Sequence, residues 1–127
     1  IGISNDGGES FDQVLPTGIM GQASNIMALD HDRLLSIHCH RDAPVSLTVR
    51  ALRLTGDGIA VELETAIFGA QDQGRATDGI VNQFASLRFG QPALLRLDVD
   101  RVLATCWKVE DCQHVIKGYH LRIGPEG

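Results

Sequence analysis

His38, Cys39 and His40 stand in a row, and Arg41 follows them directly. Imidazole and thiolate are zinc ligands, and Cys106, Cys112 and His114 offer the same types farther along. His38 and His40 project from one face of an extended segment, because side chains alternate along a strand. Their spacing fits no zinc knuckle, so no metal and no cofactor is expected. Arg41 presents a planar fork of donors suited to a carboxylate. Gln22 and Gln91 carry amides that can bond sugar hydroxyls, and Trp107 carries a ring that can stack on a sugar. Glu110, Asp111 and Asp72 carry carboxylates, a group that can act as acid or base. Each also has a plainer reading. Arg41 can pair with Asp42, Gln22 and Gln91 can tie neighbouring units together, and Trp107 can simply pack. No subset of these residues amounts to a catalytic centre, so the catalytic residues are unknown.

The elements that must position them repeat. Met20-Gly21-Gln22-Ala23 is echoed by Phe89-Gly90-Gln91-Pro92, and Leu29-Asp30-His31-Asp32-Arg33 by Leu97-Asp98-Val99-Asp100-Arg101. Leu52-Arg53-Leu54 is echoed by Leu121-Arg122-Ile123. Three matches in the same order, at offsets agreeing to within a residue, mark an internal repeat. Alternating apolar and polar residues predict strands over Gln22–Leu29, Leu34–His40, Val45–Leu54 and Ile59–Phe68. The second copy predicts strands over Gln91–Leu97, Val102–Val109 and Val115–Ile123. Short polar breaks join them as hairpins, and Pro44 argues against one strand running through the break at 41–44. No helical period of useful length occurs, and the polar, Gly-rich 70–83 reads as a long loop.

The composition is that of an ordinary folded domain, with 43% apolar residues and a net charge of −5. An acidic balance without a Lys/Arg patch argues against nucleic acid. No apolar run reaches the roughly 18 residues of a membrane span. Three irregularly spaced cysteines do not make a disulfide framework, and Cys39 and Cys106 fall in apolar runs suited to small buried side chains.

Ser4-Asn5-Asp6-Gly7-Gly8-Glu9-Ser10-Phe11 fits the pattern Ser-x-Asp-x-Gly-x-Ser-Phe. In it Asp6 can accept backbone N–H bonds across a tight turn. Gly7 and Gly8 permit backbone angles closed to other residues, and Phe11 is placed as an apolar plug. The segment resembles the Asp-box, or BNR repeat, of the sialidase-like β-propellers, with Ser4, Asp6, Gly8, Ser10 and Phe11 as its structural residues. Thr55, Asp57 and Gly58 keep a degenerate second box, with Glu62 at the aromatic position. A third has Glu126 where aspartate is expected.

The resemblance implies an all-β fold of four-stranded antiparallel propeller blades, about two blades of a six-bladed ring. On that reading 1–14 ends one blade, 20–68 is a complete blade, 69–88 is a crossover loop and 89–127 gives three strands of the next. With Ile1 in place of methionine, the chain is read as a piece of a longer one. Sialidase-like propellers place their substrate pocket at the end opposite the Asp-box turns. That end receives Asp12–Met20, His40–Pro44, Gly69–Arg88 and Lys108–His114. Arg41, Gln22, Gln91, His40 and Trp107 are therefore the candidate substrate-binding residues, with Arg75 and Arg88 behind them. Tyr119 lacks the surroundings of the family's nucleophile.

The expected function is that of a sialidase-like glycoside hydrolase fragment acting on a glycan or glycoconjugate, inactive alone. The alternative is a non-catalytic carbohydrate- or protein-binding propeller, self-assembling as a homo-oligomer that closes its ring. A secreted or periplasmic location is implied by resemblance only.

Overall fold

The computed structural model describes residues 1–42, 44–70 and 87–124. All regular structure among them is β-strand. The N-terminal strands β1 (Gly2–Ile3) and β2 (Gln13–Val14) form a two-stranded ladder. Next come β3 (Gln22–Ala28), β4 (Arg33–His40), β5 (Val45–Leu54) and β6 (Ile59–Ala70), a four-stranded antiparallel meander. A three-stranded meander follows, β7 (Phe89–Arg96), β8 (Arg101–Glu110) and β9 (Gln113–Arg122). The strands expected from period-two alternation are all found, with ends shifted by one or two residues. Beyond Ala70, the expected long loop lies outside the described residues, as do Ala43 and the third box from Pro125 onward.

The two meanders share one register. Arg33 faces Arg53 across β4 and β5, and Arg101 faces Arg122 across β8 and β9. In step with them, Leu34–Leu52 matches Val102–Leu121, and Ser36–Arg50 matches Ala104–Tyr119. Both copies carry a bulge at the start of the first strand, which inserts one residue against the neighbouring strand. Its left-handed residue is Ala23 (φ 46°) in one copy and Gln91 (φ 47°) in the other. Gln22 and Gln91 are thus not at the same register point. Gln22 pairs with Cys39 before its bulge, whereas Gln91 lies within its own.

The core is the layer between the two sheets. The first sheet contributes Leu35, Ile37, Cys39, Val45, Leu47 and Val49, and the second contributes Phe89, Val102, Ala104 and Cys106. Burying a large aliphatic side chain such as Ile37 or Leu47 is worth about 1.5–3 kcal/mol. The faces involved are not equivalent. Leu35, Ile37 and Cys39 lie on one face of β4, whereas Val102, Ala104 and Cys106 match Leu34, Ser36 and His38 on its other face. The sheets therefore stack head to tail, front of one against back of the next, and not like on like.

Polar contacts fasten this interface. Arg96 donates from Nη2 to the carbonyls of Ala28 (3.0 Å) and Leu29 (2.7 Å). Leu94 N–H donates to Asn25 Oδ1 at 3.3 Å. Phe68 of β6 meets Phe89 edge-on and Tyr119 at a tilt, and the Lys108 ammonium lies 4.4 Å from its ring centroid.

Candidate functional site

The antiparallel order sends the β3–β4, β5–β6 and β7–β8 turns to one end and the β4–β5 and β8–β9 connections to the other. Between β1 and β2, the Ser4–Phe11 segment forms a hydrogen-bonded turn. Asp6 accepts from Ser10 N–H (2.9 Å), Ser10 Oγ (2.6 Å) and Ser4 Oγ (2.6 Å). Those bonds, led by the Ser10 hydroxyl, hold its carboxyl well below the usual range. Gly7 and Gly8 take φ of 76° and 94°, where a side chain would be strained. Phe11 departs from expectation: it is 61% exposed, with its ring against Gly2, so it plugs no core here. The second box keeps a shorter turn, in which Thr55 N–H donates to the Gly58 carbonyl at 2.9 Å.

Repeated ion pairs at this end went unnoticed in the sequence. Arg33 pairs with Asp30, and Arg101 with Asp98. Asp98 is pulled down to about 2 by hydrogen bonding to Arg101, and Asp30 is lowered by Arg33. Arg53 bridges Asp32 and Glu62, while Arg122 reaches Asp100. The signal was present: both turns read Leu-Asp-x-Asp-Arg.

The opposite end gathers most of the candidate binding residues. Gly90 is the junction. A Cβ placed on it would lie 2.5 Å from Arg41 Nη2 and 2.9 Å from Trp107 Nε1, so only glycine lets the two side chains approach. Arg41 leaves the end of β4 and crosses to the second sheet, where Nη2 donates to the Phe89 carbonyl at 3.2 Å. Its backbone N–H donates to Gln22 Oε1 at 3.3 Å. The Arg41 Nε is buried with no partner among the described residues. Trp107 is partly buried and tilts against His114 with ring centroids 5.9 Å apart. Arg41, Gln22 and Trp107 thus converge, with His114 joining them. His40 turns to its own loop, donating from Nδ1 to the Asp42 carbonyl at 3.1 Å. Gln91 is exposed on its bulge. Arg75 and Asp72 lie outside the described residues.

Lys108–His114 is not a loop, contrary to the sequence reading. Glu110 pairs with Gln113, leaving a two-residue turn at Asp111 (φ 48°) and Cys112 (φ 60°). Two consecutive positive φ values are the signature of a tight hairpin, which follows the strand twist. Glu110 is gripped by Lys117 (2.9 Å) and Lys108 (3.4 Å). Chiefly through Lys117, its carboxyl is held below the ordinary range. It is a structural anion and poorly suited to donate a proton.

The two buried thiols and the phenol are muted as well. Burial pushes Cys39 up to about 11, against the opposing pull of Arg41. Cys106 and Tyr119 are also raised by burial. A thiol held neutral is a poor nucleophile and a poor ligand. No group of three or more metal-ligating side chains occurs among the described residues.

A different polar cluster lies on the back face of the first sheet. Ser36 and Arg50 face each other, and His38 is their neighbour along β4. Ser36 Oγ, His38 Nδ1 and Arg50 Nη1 are buried without a partner among the described residues. Arg50 Nε binds Glu64 at 2.6 Å, and burial together with the Arg50 charge lowers the His38 pKa.

Comparison with protein-family models, with curated proteins and with solved structures finds no match to this chain.

Proposed function

We propose that the chain is two stacked blades of a sialidase-like β-propeller whose end around Arg41 and Trp107 binds a glycan. The observation that carries this reading is the head-to-tail stacking of two meanders in one register, in a chain that also forms a hydrogen-bonded Asp-box-like turn. Units that pack front to back can continue as a ring, whereas like-on-like packing would end at a pair. The binding end offers an indole, an imidazole and an arginine within one small region, the side-chain types that stack on sugars and bond their hydroxyls or carboxylates.

Binding is favoured over hydrolysis by the two candidate carboxylates that lie among the described residues. Retaining and inverting glycosidases need an acid that holds its proton near neutral pH. Glu110 is locked as an anion between two lysines, and Asp111 sits in the hairpin turn. The hydrolase reading applies to a parent protein that supplies the acid, the nucleophile and further arginines.

Trp107 is the single tryptophan, so its fluorescence reports on this end alone. Titration with a sialylated and a neutral oligosaccharide should give a saturable change for at least one of them, weakened about tenfold in Trp107→Ala when followed by NMR. A fluorogenic sialoside should remain uncleaved. Flat titrations with both sugars at millimolar concentration would remove the glycan reading.

A further inference from the structure

We infer that His38, while neutral, positions Gln22 on Arg41, and that its protonation in mild acid releases this clamp and loosens the Arg41 end. His38 lies on the back face of β4, opposite Ser24 of β3 and Thr48 of β5. Its side chain is seated against the backbone just before β3. A Cβ on Gly21 would lie 3.1 Å from His38 Cβ and 3.3 Å from His38 Cδ2. The next residue, Gln22, accepts from the Arg41 N–H through Oε1 at 3.3 Å. The imidazole, the Gly21 backbone and the Gln22 amide thus form one chain of contacts that ends on Arg41. From there Nη2 of Arg41 spans to the Phe89 carbonyl in the second sheet. Ala23, at the left-handed bulge (φ 46°), follows directly, so β3 is irregular where the ring presses on it.

The site suits an uncharged imidazole. His38 Nδ1 is buried with no hydrogen-bond partner among the described residues. In a neutral ring that nitrogen is the bare acceptor and Nε2 carries the proton, whereas in an imidazolium both nitrogens are donors. A buried N–H without an acceptor is costly. Nδ1 is already buried within this chain, so a further covering element deepens the burial and reaches the nitrogen only by displacing what lies there. The surrounding charges oppose the proton as well. β5 presents Arg50 on the same face, diagonal to His38, with Nη1 also buried and unpartnered among the described residues. β6 presents Glu64, whose carboxylate is bound to Arg50 Nε at 2.6 Å. Along β4 the next titratable group on that face is His40, whose ring turns to the Asp42 carbonyl. β3 and the segment 15–21 carry no titratable side chain. Burial first, and then the Arg50 charge, hold the His38 pKa below its ordinary 6.5. A group depressed in the folded state adds stability above its unfolded value, and that contribution is lost as pH falls through the folded one. The backbone against the ring is Gly21, so the Gln22 clamp on Arg41 is what gives way.

The test is an NMR titration of the full chain from about pH 7.5 to about pH 5, the range in which imidazoles change charge. It follows the His38 ring and the hydrogen-exchange protection of the Arg41 amide, corrected for the intrinsic pH dependence of exchange. The expected result is a His38 midpoint below that of the exposed His31, with Arg41 protection falling severalfold along the same curve. His38→Phe keeps a ring against Gly21 without a titrating group and should leave Arg41 protection flat across this range. His40→Gln removes the imidazole next to Arg41 and should leave the pH dependence in place. Gln22→Ala should lower Arg41 protection at every pH and remove its pH dependence. A His38 midpoint at or above that of His31 overturns the inference in the unaltered chain, whatever the variants do. So does Arg41 protection that ignores pH, or a pH dependence that survives His38→Phe or vanishes in His40→Gln. None of these measurements uses a glycan, so this inference and the proposed binding at the Trp107 end fail independently.

Discussion

At the centre of the first sheet, one face carries Ser36 opposite Arg50, with His38 beside them. At the same register in the second sheet stand Ala104, Tyr119 and Cys106. The apolar set in the second sheet is pressed against the front of the first. The polar set is buried too, with Ser36 at 1% and Arg50 at 8% exposure, yet three of its polar atoms lack partners among the described residues. The other faces differ in the opposite sense. The first sheet hides Leu35, Ile37 and Cys39, while the second leaves Leu95 and Ile116 open at 59% and 77%. One backbone plan thus supports two different cores. Register and turns are shared by both copies, while burial depends on what lies against each face.

The largest expected effect breaks the layer both sheets share. Leu47 is fully buried, so Leu47→Ala should cost about 2–5 kcal/mol in chemical denaturation, the transfer loss plus the cavity. Ile116→Ala, on the open face of the second sheet, should change stability by no more than about 0.5 kcal/mol. Comparable losses from the two would mean that the open face is covered in solution.

Gly90→Ala comes next. Its Cβ would collide with Arg41 and Trp107, costing about 1–3 kcal/mol and shifting the Trp107 emission. Gly56→Ala meets nothing within 4 Å and should cost much less. Equal costs would show that Arg41 does not hold the two sheets together at this point.

Ser36→Ala copies the second sheet's Ala104 into the first. With no partner to lose, the change should be neutral or stabilise by up to about 1 kcal/mol. A loss of that size would reveal a hydrogen bond to Ser36 and make the two faces more alike than they look.

The smallest effect concerns the paired turns. Asp30 and Asp98 both have lowered pKa values, from an ordinary 3.8 to about 2 for Asp98. A depressed carboxyl contributes stability that is present above its unfolded value and lost as pH falls through the folded one. Melting temperature should therefore drop between about pH 4 and pH 2, and Asp98→Asn should flatten part of that slope. Both turns are exposed, so the drop is modest. An unchanged slope in Asp98→Asn would mean that the Asp98–Arg101 pair adds nothing to folding.

Much of this architecture is written locally. Alternation in Val45–Leu54 and Ile59–Phe68 needs only the two-residue period of a strand. The Asp-box turn needs only Asp6 with glycines at two left-handed positions. The strand order and the repeat were therefore determined by the sequence alone. The contents of the Arg41 end were legible as residue types, but their contacts were not. That Arg41 crosses 48 positions to the Phe89 carbonyl depends on how the sheets stack. The two-residue turn at Asp111 and Cys112 escaped notice because neither residue is glycine, and strand pairing on both sides imposes their positive φ. β4 shows the division most clearly. Leu34, Leu35, Ile37 and Cys39 make it apolar on both sides, so its pattern cannot say which face meets which neighbour. Local alternation fixes only that two faces exist. The choice between them belongs to tertiary packing, because the free energy of burial depends on what another part of the chain brings into contact.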